Sequence, residues 1–161
     1  MIFATVGTHA QPFARFLAAL ADLDEDVVVQ YGHNDPPAGV REAVAFMPFD
    51  VLNAHMREAD VVVTHAGVGS ILLCLTNGRR PIVVPRLKRH GETVDDHQLE
   101  SARRFAAAGL VTLVEDPGEL PAALAAAGET AVAPPSGEGG LVRELRTYLQ
   151  ETIEPRSAVH R

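Results

Sequence analysis

The sequence predicts a single α/β domain, a Rossmann-like parallel sheet with helices on both faces, and three observations carry that expectation. Short β-branched runs alternate with helical patterns, as the strands of a parallel sheet alternate with the helices that cover it. Two of the strand-to-helix loops are rich in glycine, at the sites where such sheets bind ligands. At 161 residues the chain holds one hydrophobic core and is too short for two ordinary domains.

The pattern opens with the run Ile2 to Val6, followed by helical periodicity over 11 to 22. Val27 to Tyr31 forms the next run, a short strand is expected at Ala43 to Phe46, and a helix over 50 to 58. Val61 to Thr64 precedes a helix over 70 to 77, and Ile82 to Val84 precedes one over 97 to 107. Leu110 to Val114 is the last run, with a helix over 118 to 127. The domain therefore spans 1 to 132, and the breaker-rich APPSGEGG at 133 to 140 reads as a linker. Over 141 to 153 an amphipathic helix is expected, with Leu141, Val142, Leu145, Tyr148 and Leu149 on one face, and residues 154 to 161 read as a frayed tail.

A formal net charge of -7 excludes an extended basic nucleic-acid surface. Cys74 is the only cysteine, so one chain forms no disulfide framework or cysteine metal cluster. A small buried residue in a reducing compartment is the simplest expectation. The opening MIFATVGTHAQPF lacks a positive n-region and does not read as a signal peptide. No apolar run approaches the ~20 residues of a membrane span. The expected location is cytoplasmic, with any attachment to a membrane made through another protein.

Three loops carry chemistry. In Gly7-Thr8-His9, glycine permits close backbone approach and the threonine hydroxyl can donate to an oxyanion. In Thr64-His65-Ala66-Gly67-Val68-Gly69-Ser70, small residues bare the backbone before a helix, so that N–H groups and the helix dipole can cradle a diphosphate. The loop is neither GxGxxG nor a P-loop. By itself it also fits a helix cap at Ser70 and a satisfied core histidine at His65. In Asp95-Asp96-His97-Gln98, an aspartate suits the cap of the following helix, while His97 and Gln98 carry donors and acceptors suited to sugar hydroxyls. A zinc site at His65, His90 and His97 is disfavoured by their long spacing and the lack of an HExxH pattern, so no metal and no cofactor are expected.

The order VGTH, FMPF, THAGVGS, GRRPIVVPR and DDHQLESA resembles the C-terminal domain of family 28 glycosyltransferases over residues 1 to about 115. Within that family, the MIFATVGTHAQPF start and GETVDDHQLE are most similar to stand-alone donor-binding subunits of bipartite enzymes. These are the dolichol-linked N-acetylglucosaminyltransferases and the bacterial exopolysaccharide glucuronosyltransferases. The resemblance implies the C-terminal half of a two-lobed GT-B fold. It also implies that Gly7 and Thr8 approach the donor diphosphate and that His65, Ala66, Gly67, Val68, Gly69 and Ser70 form its main loop. By the same resemblance His97 and Gln98 bond the transferred sugar. Phe46 and Met47 lie where relatives place the uracil platform, and an aromatic ring there can stack on the base. Leu73 stands where many relatives carry the glutamate that grips the ribose, and Phe49 replaces a frequent glutamine.

The implied reaction is attack of an acceptor hydroxyl on a UDP-sugar, with a lipid-linked glycan as acceptor and a membrane-anchored subunit carrying the acceptor lobe. The N–H groups of the 65 to 70 loop would stabilise the leaving diphosphate. His9 is the local candidate for general base. Arg86 and Arg89, in a basic stretch with Lys88 and His90, are candidates to pair with a donor carboxylate, which favours a uronic acid as the sugar. A solvated basic loop is the plainer alternative. Two rival functions remain, a non-catalytic nucleotide-sugar-binding or regulatory module and a nucleotide-sugar epimerase, the latter disfavoured because its chemistry needs both lobes.

Overall fold

The structure, a computed structural model, describes residues 1–129, so the expected linker, terminal helix and tail lie outside the described residues. The strands are β1 (Ile2–Thr5), β2 (Val27–Gln30), β3 (Glu42–Val44), β4 (Val61–His65), β5 (Ile82–Val84) and β6 (Thr112–Leu113). The helices are α1 (Ala14–Ala21), α2 (Phe49–Glu58), α3 (Val68–Thr76), α4 (His97–Ala107) and α5 (Leu120–Glu129).

Because strand side chains alternate between faces, each strand contributes to two cores. Ile2, Ala4 and Val6 join Val27, Val29, Val63, Ile82 and Val84 under Phe13, Phe16, Leu17 and Leu20 of α1 and its approach. Leu120, Ala123, Leu124 and Ala127 bring α5 onto that same face. On the opposite face Phe3, Val28 and Val62 pack against Met56 of α2 and Cys74 of α3. Beside them Val83 meets Ile71 and Leu75 of α3 and Ala102 and Phe105 of α4. Helices therefore cover both faces, as expected.

The six strands run in the order β3-β2-β1-β4-β5-β6, and every adjacent pair is parallel. From β1 the chain moves outward to β2 and β3, then returns to β4 and moves outward the other way. The loops after β1 and β4 diverge at this switch point and leave a crevice beyond the carboxyl ends of the strands, where such sheets bind ligands.

Most elements shift at their ends from the expected extents, and two are shortened by identifiable contacts. Helix α1 begins at Ala14, because Pro12 and Phe13 remain in the loop and the Phe13 N–H donates to Asn34 Oδ1 at 2.6 Å. Strand β6 shrinks to two residues, because the Leu110 N–H turns back to the Phe105 carbonyl at 3.0 Å to close α4.

Candidate functional site

Two loops converge at the crevice, and His65 is where they meet. A Cβ on Gly7 would lie 2.4 Å from His65 Cε1, and one on Gly67 would lie 2.2 Å from His65 Nε2. Only glycine leaves room for the ring at both places. Gly7 also has φ +74, which a side chain would strain. Its N–H donates to Thr5 Oγ1 at 3.1 Å, and Thr5 in turn donates to Gln30 Oε1 at 2.9 Å. What Gly7 offers a ligand is thus closeness of approach rather than its own N–H.

The imidazole is buried and its Nδ1 lies 3.3 Å from Thr64 Oγ1. Burial lowers its pKa to about 4, and the positive charge of Arg86 pushes the same way. His65 is therefore a neutral core histidine that spaces the two glycine loops. Thr8 and His9 remain exposed beyond them. Among the described residues no hydrogen bond orients His9.

Helix α3 opens from Gly67 with no side-chain cap. The alternative of a Ser70 cap is not met, because Ser70 lies inside the first turn. The first-turn N–H groups of Val68, Gly69 and Ser70 are consequently left for a ligand, reinforced by the positive end of the helix dipole. A Cβ on Gly69 would meet nothing within 4 Å. Leu73, in the second turn, packs toward Phe3, Met56 and Cys74. Burial pushes the Cys74 thiol up to about 12, in keeping with an inert core residue.

Around this cradle the other candidates fall on the same edge of the sheet. Phe46 follows β3, is 45% exposed and meets the His33 ring edge-on at 4.9 Å between centroids. Met47 corrects the expectation for it. Its side chain is partly buried against the cluster of Phe3, Val28 and Met56, so part of it is given to the core rather than to a base. At the start of α4, Asp95 Oδ1 accepts from the His97 N–H at 3.1 Å, and the exposed His97 ring lies between Asp95 and Glu100 at 3.7 and 3.8 Å. Gln98 Oε1 accepts from the Arg86 N–H at 3.2 Å, which leaves the NH2 group of Gln98 to donate elsewhere.

Arg86 requires the largest correction. Its side chain is fully buried, with NH1 donating to the carbonyls of Gln11, Pro12 and Glu92 and NH2 to that of Val6, at 2.8 to 3.4 Å. The guanidinium lies 4.6 Å from the centre of the Phe13 ring. Enclosed in this way, with NH1 and NH2 both given to carbonyls and Nε buried without a partner, it is not placed to grip a donor carboxylate. Burial lowers its pKa and nearby Glu92 opposes the shift. Arg89 stays exposed beside His90, with Nε 3.3 Å from His90 Nε2.

The sequence did not point to Arg15, Asn34 or Glu92, because nothing local marks a buried ion pair. Glu92 accepts from Arg15 Nε and NH2 at 2.7 and 3.0 Å. Two guanidiniums and one carboxylate leave one positive charge in excess next to the first loop, where Arg86 holds the Val6 carbonyl. Among the described residues no three His, Cys, Asp or Glu side chains stand close enough to hold a metal ion, so His65, His90 and His97 do not assemble one. A groove of about 440 Å³ runs beside α1, between Leu17 and Ala21 and the loop of His33, Asn34 and Pro37, and it lies apart from the cradle.

Residues 1–136 match the family described as the glycosyltransferase family 28 C-terminal domain. The chain is 33% identical over 81 residues to the UDP-N-acetylglucosamine transferase subunit ALG13 of Candida albicans, covering 46% of this chain and 26% of that protein. It is 36% identical over 84 residues to the ALG13 subunit of Yarrowia lipolytica, covering 48% and 41%. A tylactone mycaminosyltransferase of Streptomyces fradiae is 37% identical over 89 residues, covering 52% and 19%. The chain thus spans less than half the length of these curated relatives. Among solved structures it superposes on the calicheamicin glycosyltransferase CalG4 with a TM-score of 0.60 at 21% identity, covering 94% of this chain and 44% of that one. The glycosyltransferase of kitacinnamycin gives 0.56 at 26% identity, covering 92% and 40%. These likenesses agree with a Rossmann-like domain of the GT-B architecture.

Proposed function

The chain belongs to the glycosyltransferase family 28 C-terminal domains, and from that premise we propose that it is the donor-binding part of a glycosyltransferase that takes a UDP-sugar. One observation carries the reading. Gly7 and Gly67 close on the same His65 ring at the switch point of the sheet, beside an uncapped α3 N-terminus. Backbone donors preorganised in this way stabilise the charge that develops on a departing diphosphate. In this reading Phe46 stacks on the uracil, while Gln98 and His97 face the transferred sugar.

The acceptor hydroxyl needs a base, and among the described residues no partner orients His9 as such a group usually is. We therefore assign the base to an acceptor lobe on a partner subunit. A lipid-linked glycan as acceptor, and a partner that anchors the complex at the cytoplasmic face of a membrane, complete the proposal. The names of two relatives describe subunits of a UDP-N-acetylglucosamine transferase, which supports both a two-part enzyme and that donor. With Arg86 enclosed, a uronic acid keeps only Arg89 of its two candidate partners, and together with the names of these relatives this favours UDP-N-acetylglucosamine over UDP-glucuronate as the donor.

Gly67 is a poor place to test the cradle, since any side chain there collides with His65. Gly69→Asp meets open space, and an acid in the first turn suits the helix itself while opposing a bound diphosphate. Calorimetry with UDP should show affinity falling by about tenfold or more, the scale of losing charge-assisted hydrogen bonds, with the melting temperature held. Unchanged UDP affinity would remove the cradle assignment.

A further inference from the structure

The segment from Pro85 to Glu92 is tied on two sides, far more firmly than a surface loop requires. Toward α1, Arg15 holds the Glu92 carboxylate with two N–H groups and also donates from NH2 to the Pro85 carbonyl at 2.7 Å and from NH1 to that of Glu115 at 3.2 Å. The Glu92 side chain is 4% exposed, and its Oε2 accepts a third hydrogen bond from the Leu87 N–H at 2.9 Å. A carboxylate buried this deeply costs free energy unless it is fully bonded, and here three donors hold it. Toward α4, the N–H groups of Arg86 and Lys88 donate to Gln98 Oε1 and Asp96 Oδ1 at 3.2 and 3.0 Å. The two residues that hold the start of α4 thus flank Leu87, whose own N–H is held by Glu92.

We propose that Glu92 is a positioning residue for the transferred sugar. Resting on the donor-binding reading above, the Arg15–Glu92 pair fixes the backbone of residues 86 to 88, and that backbone sets Gln98 and Asp96 so that α4 begins facing the sugar carried on the diphosphate cradle. The cradle is built separately, from Gly7, His65 and the start of α3, and does not use Glu92. Removing Glu92 therefore separates recognition of the sugar from recognition of the diphosphate.

The experiment compares UDP, UDP-N-acetylglucosamine and UDP-glucuronate binding to the unaltered protein, Glu92→Ala, Glu92→Gln and Arg15→Ala. In Glu92→Ala and Arg15→Ala the tighter UDP-sugar should lose about tenfold in affinity while UDP stays within about twofold. Glu92→Gln keeps an acceptor for the Leu87 N–H and should recover part of the loss. Parallel loss of UDP and UDP-sugar, or no loss of either, overturns the positioning role. An unaltered protein that binds none of the three overturns the donor-binding reading instead. Amide hydrogen exchange then still decides the tie without a ligand. Glu92→Ala should speed exchange at Arg86 and Lys88 while α3 keeps its protection, and unchanged or uniformly faster exchange counts against it.

Discussion

A single imidazole carries much of the geometry of the crevice. His65 spaces two glycine loops and is held neutral by burial, with the Arg86 charge reinforcing the effect. Its pKa of about 4 lies below the ordinary 6.5, so between these values the unfolded chain binds a proton that the folded one refuses. Stability contributed by this group is intact above pH 6.5 and is lost as the pH falls through the window toward 4, by roughly 3 kcal/mol in total. Urea unfolding at pH 7 and pH 4.5 should show that loss, and the His65 ring signals in NMR should stay in the neutral form until the pH nears 4. Ring signals that titrate near 6.5 would show an accessible histidine. The sequence left His65 open between ligand contact and core residue, because a histidine after a buried strand is compatible with both. Arg86 was misjudged for a related reason, since a run of basic residues looks solvated until the fold encloses one of them.

Elements were legible where hydrophobic periodicity decides them and less so where a distant partner intervenes. α4 begins and ends as its pattern requires, while α1 starts late because Asn34, from the loop after β2, takes the Phe13 N–H. No local pattern contains that contact. α1 buries Phe16, Leu17 and Leu20 against one face of the sheet, away from the N-terminus of α3. Leu20→Ala should therefore cost about 2 to 5 kcal/mol of folding stability through lost burial and a cavity. UDP affinity measured below the melting transition should be unchanged, because the cradle is made by other elements. A thermal melt paired with calorimetry checks both. A large fall in affinity from this substitution would mean that α1 shapes the crevice more directly than its contacts indicate.

At the scale of the whole molecule, the described residues present the proposed donor cradle and among them no oriented base, so transfer should need a partner that supplies the acceptor side. Incubated alone with UDP-N-acetylglucosamine and a lipid-linked acceptor, the chain should show no transfer. With a membrane-anchored acceptor subunit it should approach an ordinary enzymatic rate of about 1 per second or faster. Turnover by the chain alone would show that it holds a complete site. What the sequence determined by itself was the α/β class, the alternation of elements, the two glycine loops and the family, since each depends on residues adjacent in the chain. The tertiary structure alone decided which polar side chains are enclosed. It paired Arg15 with Glu92 across 77 positions, and turned Arg86 inward onto carbonyls as far as 80 positions away. Packing brings such partners together only once the sheet has ordered its strands, and burial then sets which charges face a ligand and which hold the frame.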